Sequence, residues 1–308
     1  MSTRRIALAT VLGIALALLP VDADGPPPKS SHPYFNDQGA LAWYSTLEEA
    51  KRAALASNKI VFVEYGRKTC VDSQRMCEEI ITKDPIRARL SAIAVGLAAD
   101  CDKPDAELEK LFRAHLAGAT ATPFVGFVTP DLKWVGGWSG MRWETEFQTT
   151  LEEVEKNPML DASPTATKQL EGMLGVAKKA AEMADWKVVA KAGRDASRIW
   201  GRSAARTELI GVVALARTWA SEQLALALKA AQDPFANVLP VRASLNAVAA
   251  AFTGEPEAED AKRGIKAIDR IGSIRNQGDG NEAEAARTKA LAEFKGTRWE
   301  VLFTSGGK

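Results

Sequence analysis

The sequence predicts a mixed α/β domain followed by an all-α domain of helical hairpins. Strand-like apolar runs alternate with helical patterns over 41–157, and from 158 to 308 the pattern turns to Ala-rich 3.6-residue periodicity. A length of 308 residues, at roughly 100–200 per domain, suits two such units.

Residues 1–23 read as a cleaved export signal: Arg4 and Arg5, the apolar run Ile6 to Leu19, Pro20, and Val21-Asp22-Ala23 ahead of a cut after Ala23. A periplasmic or extracellular location follows as the expectation. Residues 24–40 are expected to be a linker, because the Pro- and Ser-rich stretch Asp24 to Pro33 forms no regular ladder. A helix then opens near Ser45, where Ser45/Glu48 and Thr46/Glu49 both have capping-box spacing. Lys59 to Tyr65 is a buried strand, 70–81 a helix, 92–99 a second apolar run and 105–116 a helix. Strands at 124–128 and 133–138, joined through Pro130-Asp131, close the sheet. Beyond Pro158, helices are expected near 165–184, 186–200, 203–231, 236–252, 257–272 and 281–294. Gly201, Pro234, Gly254-Glu255-Pro256 and Gly278-Asp279-Gly280 punctuate them. Short connections imply antiparallel hairpins, arranged as a tetratricopeptide-like array, an irregular solenoid or a plain bundle.

Composition narrows the function. With 26% charged residues and a net charge of +1, the chain lacks the basic excess of a nucleic-acid binder. Three Cys and two His, unclustered, exclude a zinc finger or a haem-attachment motif, and neither a metal nor a small-molecule cofactor is expected. Residues 24–159 carry 16 basic and 20 acidic side chains, and 160–308 carry 22 and 18, so attraction between the halves is one way to dock them and solvated faces the other.

The stretch with chemical potential is Thr69-Cys70-Val71-Asp72-Ser73-Gln74-Arg75-Met76-Cys77. On a helical wheel Cys70, Ser73, Met76 and Cys77 share one side, with Cys70 at the helix N-terminus. There unpaired N–H groups and the macrodipole stabilise a thiolate, and Arg67 and Lys68 add positive potential. Cys77 lies about 10 Å further along the axis and cannot bridge to Cys70, because disulfide Cα atoms lie within about 7 Å of each other. It reads as a buried apolar group. Cys101, between Asp100 and Asp102, is expected to have a raised pKa. His115 and the tryptophans 134, 138 and 143 read as packing residues.

Around Cys70 the chain resembles the thioredoxin-like superfamily, on the motif Thr69 to Met76 and the later Ala121-Thr122-Pro123-Phe124-Val125-Gly126-Phe127-Val128. Ala42-Trp43, Asn58 to Val63 and Pro130 to Lys133 agree as flanks. The resemblance implies a thioredoxin-like α/β domain with a cis Pro123 lying against Cys70, and a Thr122 backbone that pairs with substrate peptide. Catalytic positions are then Cys70, Ser73 and Pro123, and substrate-facing positions Thr122, Lys68 and Thr69. Ser73 stands where the family has its second cysteine and Thr69 where it has tryptophan, so dithiol cycling is not expected. The expected activity is monothiol exchange on exported client proteins. The alternatives are a redox-inactive peptide-binding module whose helical domain recruits a protein partner, and a structural protein of the cell envelope.

Overall fold

The computed structural model describes residues 31–233, 237–277 and 280–304. The expected signal segment and the first part of the expected linker lie outside them.

The first region is a five-stranded mixed sheet flanked by helices. In chain order it contains β1 (Trp43–Tyr44), α1 (Leu47–Ser57), β2 (Ile60–Gly66), α2 (Val71–Arg75, continued by a π turn over Met76–Ile80) and α3 (Ile86–Ile93). β3 (Ala94–Asp100), α4 (Ala106–His115), β4 (Phe124–Val128), β5 (Trp134–Ser139) and α5 (Glu144–Glu155) complete it. The strand order is β1-β3-β2-β4-β5, with β1, β3 and β2 parallel and β4 and β5 antiparallel to their neighbours. β2 is buried along its whole length, as its β-branched and aromatic composition demands of a central strand. Thr46, not Ser45, caps α1: its side chain accepts from Glu49 N. Two elements were not legible as such, β1 being only two residues long and α3 lying against the apolar run that became β3.

Residues 31–40, read from sequence as linker, are part of this domain. Phe35, Ala40 and Leu41 enter its core, and His32 stacks on Phe35 at 4.9 Å and meets Trp43 edge-on at 4.4 Å. Asp37, fully buried, explains the docking: it accepts from the backbone N–H groups of His32 and Leu41 and from Trp43 Nε1 at 2.7 Å. Pro and Ser content hid a segment whose anchors are single residues.

After Asn157 the chain is helical: α6 (Pro164–Glu182), α7 (Trp186–Ser197), α8 (Ala204–Gln232), α9 (Val238–Ala251), α10 (Pro256–Gln277), α11 (Asn281–Phe294) and α12 (Val301–Thr304). Successive helices pack on one another over a core rich in alanine, which permits close approach. Lengths run from 4 residues in α12 to 29 in α8, so no fixed unit repeats. Each hydrogen bond at the junction joins a side chain to a backbone group. Trp200 Nε1 donates to Lys59 O at 3.2 Å, Gly201 N to Asn58 Oδ1 at 2.9 Å, and the Arg202 guanidinium to the carbonyls of Glu155 and Asn157. Leu160 and Trp200 also pack into the first core.

Candidate functional site

Cys70 is the N-cap of α2, at φ −75° and ψ 115°. Its sulfur accepts from Ser73 N at 3.5 Å and lies 3.4 Å from Thr122 Oγ1. Thr122–Pro123 is a cis peptide bond, and Gly140 N donates to Pro123 O at 2.9 Å, so β5 fixes the loop that faces the sulfur. The structure thus brings together Cys70 and Ser73 with Thr122 and Pro123, two pairs about 50 residues apart in sequence. Thr69 is exposed beside them, and Val71 is 58% exposed at the first position of α2.

Burial pushes the partly exposed Cys70 thiol up. The nearby Ser73 hydroxyl, the Thr122 hydroxyl and the backbone N–H groups of Ser73 and Asp72 together outweigh it, leaving the thiol below its ordinary value. The cations expected to do this work are engaged elsewhere: Arg67 pairs with Asp102 at 2.9 Å, and Lys68 with Asp100 at 3.6 Å while lying over the Tyr34 ring. Of the two expected sources of acidity, the N–H groups at the helix N-terminus act on the sulfur, and the added influence of Arg67 and Lys68 is corrected, since both cations pair with aspartates.

The other two thiols behave as acids of opposite character. Cys77 is fully buried, and desolvation followed by the charges of Glu64, Asp37 and Glu78 raises it well above the ordinary value. Cys101 is also raised, first by burial and then by Asp102 and Asp100, against the lowering influence of Arg67. Burial, more than the flanking carboxylates, blunts it. His115 stacks on Trp134 at 4.8 Å and Trp138 lies in the core, while Trp143 is 58% exposed. Packing accounts for the first two.

Sequence reasoning missed Glu64 and His32. Glu64 stands on β2 on the same face as Ile60 and Phe62, and is 2% exposed. A carboxylate inside an otherwise apolar strand was the available signal. Its Oε2 lies 3.5 Å from His32 Nε2. A methyl on Gly66 would fall 2.2 Å from Glu64 Oε1 and 2.4 Å from Ser73 Oγ, so carboxylate and hydroxyl approach one another across a bare α-carbon. Among the described residues no cluster of His, Cys, Asp or Glu is arranged to hold a metal ion.

This geometry, a cysteine capping a helix against a cis proline, is the one that the sequence resemblance implied. The sequence profile of the thioredoxin-like family matches residues 42–130. Among solved structures, a thioredoxin from Thermus thermophilus is similar at 27% identity, over 38% of this chain and 88% of that one, with a TM-score of 0.32. No curated protein matches the chain. Residues 42–130 thus carry a thioredoxin-like domain by the family profile, and a largely helical region follows.

Proposed function

We propose that the protein carries out monothiol thiol–disulfide exchange on exported client proteins, with Cys70 as the nucleophile. The supporting observation is one sulfur, its acidity raised by hydrogen bonds, set against Thr122–Pro123 with a serine in the third position after it. The Cys70 thiolate attacks one sulfur of a client disulfide. A Cys70–client S–S bond forms as the client bond breaks, and the expelled thiolate takes a proton from water. Cys77 is buried and cannot resolve this mixed disulfide. Attack by a second client thiol regenerates Cys70 with no net transfer of electrons, which is isomerisation. Attack by two equivalents of an external thiol in turn reduces the client and leaves the external thiol oxidised. Thr122, Thr69 and Lys68 bound the client-facing rim, and the helical region recruits the client or a partner protein. A compartment beyond the cytoplasmic membrane, entered through the signal at 1–23, supplies disulfide-bearing clients.

The test is trapping of mixed disulfides from the exported, non-reduced protein. Wild type is expected to yield Cys70-linked clients, Cys70→Ser none, and Ser73→Cys an intramolecular disulfide with gain of dithiol reductase activity. A wild-type Cys70 that alkylates readily yet captures no client would overturn the exchange reading in favour of a peptide-binding module.

A further inference from the structure

The long helix α8 has a side that its own chain leaves bare. Leu209, Val213, Ala216, Ala220 and Leu224 are buried where α8 packs on α6, α7, α9 and α10. On the other side, of fourteen exposed residues only Glu208, Glu222 and Lys229 are charged, whereas six of the ten exposed residues of α10 are. The solvent side of a surface helix is normally polar. Here it holds Ile210, Leu215 and Leu226, the last two 55% and 60% exposed.

These residues are ordered along the helix. Glu208, Gly211, Leu215, Thr218, Glu222, Leu226 and Lys229 follow one another at intervals of three or four, so they lie in one exposed line about 30 Å long. Gly211 sits in the helix interior, where glycine is a weaker helix former than alanine. A methyl placed on it would meet nothing within 4 Å, so no neighbour in the same chain requires the glycine. Glu222 and Lys229 form no ion pair among the described residues, and Glu208 holds Lys178 through Oε1 alone.

We infer that this face is the interface of a homodimer, in which the α8 helices of two copies pack antiparallel about a two-fold axis passing between Thr218 and Trp219. The line of exposed residues is complementary to its own reverse. That axis sets Leu226 over the partner's Gly211, whose bare α-carbon admits it, and sets Lys229 beside the partner's Glu208. The two-fold makes each contact twice. Leu215 lies against the methylene stem of the partner's Glu222, whose carboxylate stays at the solvent edge. One register thus matches shape and charge together, which favours a second copy over an unrelated chain. Parallel pairing in register would instead set Glu208 on Glu208 and Lys229 on Lys229, which is repulsive. The dimer does not depend on the chemistry of Cys70, which lies in the other region.

The test is sedimentation velocity of the purified protein, with a reducing agent present, over a concentration series reaching about 100 µM. Wild type is expected to show a reversible monomer–dimer equilibrium within that range. Leu226→Glu, which sets a carboxylate in the apolar contact, is expected to weaken the dimer by about tenfold or more. The charges are tested in a Lys178→Ala background, which frees Glu208 of its intrachain partner. There Glu208→Lys and Lys229→Glu each set like charges opposite one another twice and are expected to weaken the dimer several-fold. The double variant Glu208→Lys/Lys229→Glu reverses both pairs and is expected to regain the affinity of its background. A protein that stays monomeric at about 100 µM overturns the inference. So does a dimer indifferent to Leu226→Glu, which would assemble through another face, and so does a double variant no tighter than its singles, which would exclude the antiparallel register. If Leu226→Glu does not fold by circular dichroism, the charge-reversal cycle decides alone. A monomer that binds a different protein through this face, and loses it in Leu226→Glu, assigns the face to that partner and overturns the homodimer.

Discussion

Glu255 and Glu64 are both carboxylates withdrawn from water, one in each half of the molecule, and their surroundings differ. Glu255, before α10, is met by Arg194 at 2.7 Å from α7 and by Arg217 at 2.8 Å from α8. Arg217 also reaches Glu257. Burial pushes the Glu255 carboxyl up and the two arginines oppose it without cancelling it. Arg217 Nε and Glu257 Oε2 keep no partner, but each belongs to a group already paired through another atom. Glu64 has His32 Nε2 at 3.5 Å, the Ser73 hydroxyl across Gly66, and an oxygen left without a hydrogen-bond partner. A carboxylate clamped by two guanidinium groups from different helices holds a fold together. One left short of partners beneath a cysteine is available to chemistry.

The comparison breaks first at Glu255. Replacing it by alanine leaves two half-buried guanidinium groups facing each other, and the expected loss is about 3 kcal/mol, the lower range for breaking a buried pair. Denaturant unfolding reads that loss, while the alkylation rate of Cys70 stays unchanged. A loss below about 1 kcal/mol would class the cluster with surface ion pairs.

The next test concerns whether the halves are one cooperative unit. Trp200 buries its ring against the first core and bonds Lys59 O from the second region. Trp200→Ala is expected to cost about 2 kcal/mol, less than the 3–5 typical of a fully buried aromatic because the ring is partly exposed. It should also separate thermal unfolding into two transitions in calorimetry. A single unshifted transition would mean that the junction contributes nothing.

The two regions were unequally legible. In the helical part, periodicity and Gly/Pro punctuation placed every long helix within a few residues, because each is amphipathic over three turns or more. In the sheet part the long strands were legible from Ile60-Val61-Phe62-Val63 and Phe124-Val125-Gly126-Phe127-Val128. The two-residue β1 was not, since its pairing with Gly96 and Leu97 of β3 is a tertiary fact. The front of the site, Cys70 with Thr122 and Pro123, was legible through order and spacing. Its back was not: His32 sits in a stretch whose composition resembles a tether, and only the saturated Asp37 fixes it in the core. The helix N-terminus was legible as a source of acidity for Cys70, but the added contribution expected from Arg67 and Lys68 was not borne out, because both side chains pair with aspartates at the end of β3 and just beyond it.

Gly66 sharpens the comparison at the site itself. An alanine there presses its methyl on Glu64 Oε1 and Ser73 Oγ, neither of which has water to retreat into. Overpacking of this kind costs about 1–2 kcal/mol. The expected signature of Gly66→Ala is that modest stability loss joined to a several-fold change in Cys70 alkylation, whereas Glu255→Ala gives the large loss with no change in alkylation. Equal alkylation rates in wild type and Gly66→Ala would show that carboxylate and hydroxyl do not act on the sulfur together.

The smallest effect is a pH dependence, and its sign separates Cys70 from the other two thiols. The folded chain holds the pKa of Cys70 below its unfolded value, so ionisation there favours the fold. That contribution is fully present above the unfolded value of about 8.5 and is lost as pH falls through the folded one. Cys77 and Cys101 are raised in the folded chain, so their contributions run the other way and fade as pH rises. Both are present in wild type and in Cys70→Ala, so they cancel in the difference between the two proteins. The stability gap between wild type and Cys70→Ala should therefore widen as pH rises through the folded value toward the unfolded one, by a fraction of a kcal/mol because the sulfur is partly exposed to solvent. A gap that narrows over that range would mean that burial outweighs the Ser73 and Thr122 hydrogen bonds, making Cys70 an acid like Cys101 and removing the electrostatic basis for treating it as the nucleophile.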